Sequence, residues 1–140
     1  MKQNPNRTKF KKYHRVQSSV FSLLEQKTFM PTKGFYGLKA LESGKLKFIH
    51  IEAARRTIRR VTKKNGEMFI NVFTNFSVTR KSLGSRMGRG KGLHSFWICP
   101  VKKGQILYEL NCLSDIMAFK ALYSASSKLT VKTLIVKQIY

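Results

Sequence analysis

The run Ser85-Arg86-Met87-Gly88-Arg89-Gly90-Lys91-Gly92 alternates cations with glycines. Glycine admits positive φ and lets another surface come close to the backbone. Arginine grips phosphate with a two-pronged fork, and lysine adds a mobile point charge. That combination suits a polyanion. A nucleotide-binding phosphate loop is excluded. It requires Gly-x-x-x-x-Gly-Lys followed by Ser or Thr at the start of a helix. Here Gly92 follows Gly90-Lys91, Gly84 lies six positions before Gly90, and strand-like residues come next. A second cationic constellation is Arg55, Arg56, Arg59, Arg60, Lys63 and Lys64. Spacings of four place these residues in adjoining stripes on one face of a helix. Like charges so placed destabilise an isolated helix, which implies a polyanion lying along that face.

Acid–base or metal chemistry has little to work with. The acids Glu25, Glu42, Glu52, Glu67, Glu109 and Asp115 are scattered, and His14, His50 and His94 are far apart. Cys99 and Cys112 form no CxxC pair, so two reduced, buried thiols are expected and no zinc site. Neither a catalytic residue, a cofactor, a metal nor a small-molecule substrate is assigned. In the 140 residues, 28 Lys and Arg stand against 6 acids, a formal charge of +22. A sequence pI near 10.6 is the footprint of a nucleic-acid binder. Charge spread along the whole chain argues against a membrane-surface helix, and no apolar run is long enough to span a bilayer. Hydrophobic content of 42% is that of a folded chain.

The elements that must position these cations follow from periodicity. Residues 1–19 read as a basic tail carrying Arg7, Lys9, Lys11, Lys12 and Arg15, unable to build a core. Phe10, Tyr13 and His14 lie among these cations, free to stack on bases; alternatively Phe10 anchors the tail. Residues 20–140 read as a single domain. A short strand is expected at Phe35–Leu41, with a bulge or close approach at Gly37. The clearest helix runs from His50 to Lys64, with Ile51, Ala54, Ile58 and Val61 inward and Asn65-Gly66 as its stop. Glu67–Phe73 reads as a central strand, and 74–93 as a long functional loop. Phe96–Val101 and Gln105–Leu110 read as a hairpin turned by Lys102-Lys103-Gly104. Ser114 is placed to cap a helix running to about Lys128, with Asp115 suiting its dipole, Ile116, Phe119 and Tyr123 on one face and Ala118, Leu122 and Ala125 beside it. Val131–Ile139 closes the chain as a strand. The mixed order predicts an α+β fold, with two helices packed on a largely antiparallel sheet.

Four of these runs, in order, resemble the bacterial-type large-subunit ribosomal protein L-sixteen family. Pro5-Asn6-Arg7-Thr8-Lys9-Phe10-Lys11-Lys12 is similar to its basic opening, and Ile51-Glu52-Ala53-Ala54-Arg55-Arg56 to its helix motif. Arg86-Met87-Gly88-Arg89-Gly90-Lys91-Gly92 resembles its glycine loop, and Gly104-Gln105-Ile106-Leu107-Tyr108-Glu109 its following strand. The resemblance implies an α+β domain of the α/β-hammerhead type that performs no catalysis. It implies a seat on large-subunit rRNA near the central protuberance and the peptidyl-transferase region. The implied partners are that rRNA, the aminoacyl-site tRNA and neighbouring large-subunit proteins, and the implied roles are subunit assembly and tRNA positioning. On this resemblance Arg86, Met87, Gly88, Arg89, Gly90, Lys91 and Gly92 approach functional RNA, while the tail cations and Arg55, Arg56, Arg59, Arg60 and Lys63 hold rRNA.

The chain departs from the family pattern in places. Residues 75–82 lack the family's two prolines, and Lys47 stands where a hydroxyl cap is usual. Asn111-Cys112 replaces a glycine, and 16–31 shows little of the family's glycine-rich pattern. The family's tail begins by Pro5, which is read as leaving no room for an import presequence. Abundant Lys, Phe, Ile and Asn, as AT-rich coding would produce, point to a mitochondrion, with a bacterial cytoplasm as the alternative. Two other function classes are a general nucleic-acid packaging protein, indifferent to sequence and to the loop, and an RNA-modifying or nuclease enzyme, which requires clustered acids or a metal.

Overall fold

Alternation, turn residues and one strongly amphipathic segment produce seven strands and two helices among the residues described by the computed structural model, which are 5, 8–14, 30–63, 65–112 and 114–138. In chain order they are β1 (Tyr36–Ala40), β2 (Gly44–Lys47), α1 (Phe48–Thr62), β3 (Glu67–Ile70), β4 (Phe76–Arg80), β5 (Leu93–Val101), β6 (Ile106–Asn111), α2 (Asp115–Ser126) and β7 (Thr133–Lys137). A four-stranded sheet has the order β3-β6-β1-β7 and a three-stranded sheet the order β2-β5-β4. Every pairing is antiparallel. The fold is α+β.

The helix α1 forms because Ile51, Ala54 and Ile58 recur on one face and are fully buried. It starts directly after β2 at Lys47, whose side chain makes no cap bond. It ends at Lys63, whose left-handed φ of 49° closes the last turn. Burial holds Tyr108 of β6 inside, and its hydroxyl donates to the Ile51 carbonyl at 2.7 Å, pinning helix to sheet. Burial also pushes that hydroxyl's pKa well up. Cys99 and Cys112 are free and buried, and burial raises the Cys99 pKa.

Several expectations are corrected. Glu67–Ile70 is an edge strand; the centre belongs to β6 and β1, because Ile106–Leu110 is buried on both faces whereas Met68, Phe69 and Ile70 are half-buried. The turn at 102–105 forms, with Gln105 N donating to Lys102 O at 3.2 Å, yet β5 and β6 do not pair. Gly104 N donates instead to Ala40 O at 2.8 Å, so the turn hands the chain from the small sheet to the large one. Inside the span expected as loop, Phe76–Arg80 is a strand registered on β5 from Phe76↔Ile98 to Arg80↔Leu93. Only 81–92 then remains as the β4–β5 connection. The side chain of Ser114 makes no cap bond. On α2 the small residues Ala118, Ala121 and Ala125 are buried with Leu122, letting the helix lie close to α1, while Ile116 is 83% and Tyr123 75% exposed. At Gly37 the close approach is real: a Cβ there would stand 2.8 Å from Pro31 Cγ. The irregular register falls next to it, between Leu38 and Lys39.

Candidate nucleic-acid interface

On α1 the arginines divide into two groups. Glu52 accepts from Arg55 Nε and Nη2, both at 2.7 Å, and from Arg56 Nε at 3.0 Å. This fork holds the Glu52 pKa down, chiefly through Arg55, from 4.5 to about 2, and raises that of Arg55. One turn on, Arg59, Arg60 and Lys63 have no carboxylate partner among the described residues. Glu52 therefore fixes the direction of the first two guanidinium groups and leaves the last turn as uncompensated positive charge.

Other acids are also occupied inside the protein. Glu109, 2% exposed on β6, accepts through Oε2 from the backbone N–H groups of Thr32 (2.9 Å), Lys33 (2.6 Å) and Gly34 (3.0 Å). Its Oε1 accepts from Asn71 Nδ2 at 2.6 Å. Glu42 pairs with Lys132 at 2.9 Å. Asp115 accepts from Lys137 at 2.7 Å and from the Tyr36 hydroxyl. Nothing in the residue pattern distinguished Glu109 from an ordinary surface acid, because its three backbone donors are about 75 residues away in sequence.

The connection 81–92 extends from the end of the β4–β5 ladder. Arg86, Arg89 and Lys91 are exposed, and Met87 is fully exposed. Lys81 Nζ donates to Gly88 O across the loop, and Ser85 N and Oγ donate to Ser82 O. The loop's glycines differ in role. At Gly92 a Cβ would stand 2.5 Å from Arg80 O, so the close strand pairing at the loop's root excludes a side chain. Around Gly88 and Gly90 nothing lies within 4 Å of a Cβ. The fold of the free protein therefore does not require glycine at either of those two positions.

The tail meets the loop. Lys12 Nζ donates to Lys91 O at 3.2 Å, Lys91 Nζ donates to Tyr13 O, and Ser77 Oγ of β4 donates to Lys11 O. Thus Lys11, Lys12 and Lys91 come together, and no hydrogen bond or ion pair among the described residues joins them to the α1 face. Lys9 lies over the Phe10 ring at 5.6 Å, and Phe10 is 65% exposed rather than anchored in the core. Arg7, Arg15 and Lys64 lie outside the described residues.

Ser77 Oγ also stands 2.6 Å from His94 Nδ1. A serine beside a histidine invites a nucleophilic reading. The hydroxyl's single proton goes to the Lys11 carbonyl, so the network assigns Nδ1–H to His94 as the donor. That direction opposes activation of the serine. No group of three or more His, Cys, Asp or Glu among the described residues could hold a metal, and no helix there is long and apolar enough to cross a membrane.

Residues 5–136 match the family model described as ribosomal protein L16p/L10e. The chain is 44% identical over 134 residues to the large ribosomal subunit protein uL16 of Psychrobacter arcticus, covering 96% of each. It is 39% identical over 132 residues to that of Blochmanniella pennsylvanica, covering 94% of this chain and 96% of the relative. To the large ribosomal subunit protein uL16c of Emiliania huxleyi it is 42% identical over 135 residues, covering 96% and 95%.

Proposed function

The chain belongs to the ribosomal protein L16p/L10e family, and from that premise we propose how its cations serve the ribosome. It is a structural protein of the large ribosomal subunit, not an enzyme, with rRNA and other ribosomal proteins as its partners. The proposed seat is large-subunit rRNA near the central protuberance and peptidyl-transferase region. There the face of α1 and the tail neutralise phosphates, while the loop 81–92 approaches the functional RNA and helps position the aminoacyl-site tRNA.

The observation that carries this reading is the contrast within the loop. Gly88 and Gly90 stand in open space, flanked by the exposed cations Arg86, Arg89 and Lys91. Glycine without an internal reason at two positions is explained by an external surface that must come close to the backbone. The fold does not depend on the guanidinium groups of this loop, so Arg86→Ala and Arg89→Ala should leave stability unchanged. In cells they should slow large-subunit maturation or tRNA accommodation. Normal growth with normal subunit profiles in both variants would count against the reading. The same composition that suggests AT-rich coding favours synthesis inside a mitochondrion. Finding the coding gene in a bacterial chromosome would replace that compartment with the bacterial cytoplasm.

A further inference from the structure

We infer that the outer face of the three-stranded sheet is a seat for one unstacked nucleotide of large-subunit rRNA. This inference rests on the ribosomal reading above, since charge and rings alone do not separate RNA from DNA. An antiparallel sheet with one face on the core ordinarily turns a polar face outward. Leu46, fully buried opposite Cys99, marks the core side of this sheet. By alternation the other side carries the rows Phe76↔Ile98↔Lys47 and Val78↔Phe96. That side is apolar and aromatic, and it forms the wall of an open groove of about 790 Å³.

The groove carries the marks of a nucleotide site. Its volume lies within the range of small-molecule sites, about 300–1,000 Å³. Lys45, Lys47 and Lys91 contribute to its lining, and no carboxylate among the described residues does. Lys47 Nζ already lies 4.6 Å from the centre of the Phe96 ring. Tyr13 and His14 of the tail close one side, so the hydrogen bonds that tie the tail to Lys91 also shape the groove. His50 lines it too. Single-stranded RNA is recognised by stacking splayed bases on aromatic side chains presented by a sheet, with cations on the backbone. The base would stack on Phe76 or Phe96, with its phosphate on the lysines.

Chemical probing of large subunits that contain the full chain tests this. Phe76→Leu and Phe96→Leu keep apolar volume but remove the ring. One rRNA nucleotide protected in wild-type subunits should become reactive in whichever variant lacks the stacking ring, its occupancy weakened roughly tenfold; unchanged protection in both variants would overturn the inference. Nucleotides facing α1 and the loop 81–92 should keep their protection. Ultraviolet cross-linking of unmodified subunits needs no variant, and should place the same nucleotide on a peptide containing Phe76 or Phe96. If cross-links appear from α1, the loop and the tail but none from β4 or β5, the inference fails and the ribosomal reading stands. Cross-links from the groove to another protein also overturn it. A chain that does not sediment with the large subunit refutes both.

Discussion

Replacing Glu109 should unfasten the segment before β1. The carboxylate is 2% exposed and accepts three backbone N–H groups through one oxygen and Asn71 Nδ2 through the other. In Glu109→Ala all four donors lose their acceptor. Gly34 is buried, so its N–H keeps the full penalty of an unsatisfied donor, about 2 kcal/mol. Thr32 and Lys33 are exposed residues whose N–H groups water can reach. Each of those two bonds carries the net value of a hydrogen bond to a charged group, at its lower end about 1.5 kcal/mol. The three backbone donors together, about 5 kcal/mol before the Asn71 bond is counted, are a large part of the ~5–15 kcal/mol that stabilises a domain. Glu109→Gln keeps an oxygen toward the three N–H groups but loses the charge, and should cost about 1–2 kcal/mol. Urea unfolding of the full chain, followed by circular dichroism, reads both as shifts of midpoint at constant slope. Midpoints within about 0.5 kcal/mol of wild type for both variants, or a larger loss for Gln than for Ala, would refute the assigned role.

The loop glycines should separate by assay. Gly92→Ala must displace the Arg80 backbone and should lower thermal stability, whereas Gly88→Ala and Gly90→Ala should melt like wild type and lower only the yield or activity of large subunits; equal melting of all three would contradict the geometry. The depressed Glu52 pKa stabilises the folded state fully above the ordinary carboxylate value of 4.5, and that contribution is lost as pH falls toward about 2. Glu52→Gln should therefore flatten stability against pH across that window, and an unchanged acid limb would contradict the fork. Charge reversal at Arg59 and Arg60, which have no carboxylate partner among the described residues, should weaken rRNA binding and reduce its salt slope by roughly 0.7–0.9 for each phosphate no longer neutralised. Filter binding at graded salt measures this, and an unaltered slope would remove the α1 face from the interface.

What was legible in the sequence was what local pattern determines. The face of α1 was readable because Ile51, Ala54 and Ile58 keep helical period against a run of arginines. The polyanion partner was readable because +22 has no other ready explanation in a folded chain. Pairing was less visible, since strand partners are chosen by distant segments. Lys102-Lys103-Gly104 carries a sound turn signal, yet the strands on either side join different sheets. Phe76–Arg80 alternates with Ser77 and Thr79 between loop-like neighbours, and its partnership with β5 supplied what its own residues did not declare. On α2, hydrophobic period gave the helix but not its orientation. Of its two apolar stripes, close packing on α1 selected Ala118, Leu122 and Ala125, leaving Ile116 and Tyr123 outside. The cationic clusters were visible from residue type and spacing, and the family resemblance supplied their expected rRNA roles, but the junction of Lys11, Lys12 and Lys91 depends on the tail folding back onto β4.

Ultraviolet irradiation of intact cells or organelles, followed by recovery of the chain and sequencing of cross-linked RNA and peptides, tests the central claim most directly. Cross-links from the 86–92 loop, the tail and the last turn of α1 should converge on a few large-subunit rRNA stems. Cross-links scattered over unrelated RNA or DNA, with no concentration at those three surfaces, would contradict the account.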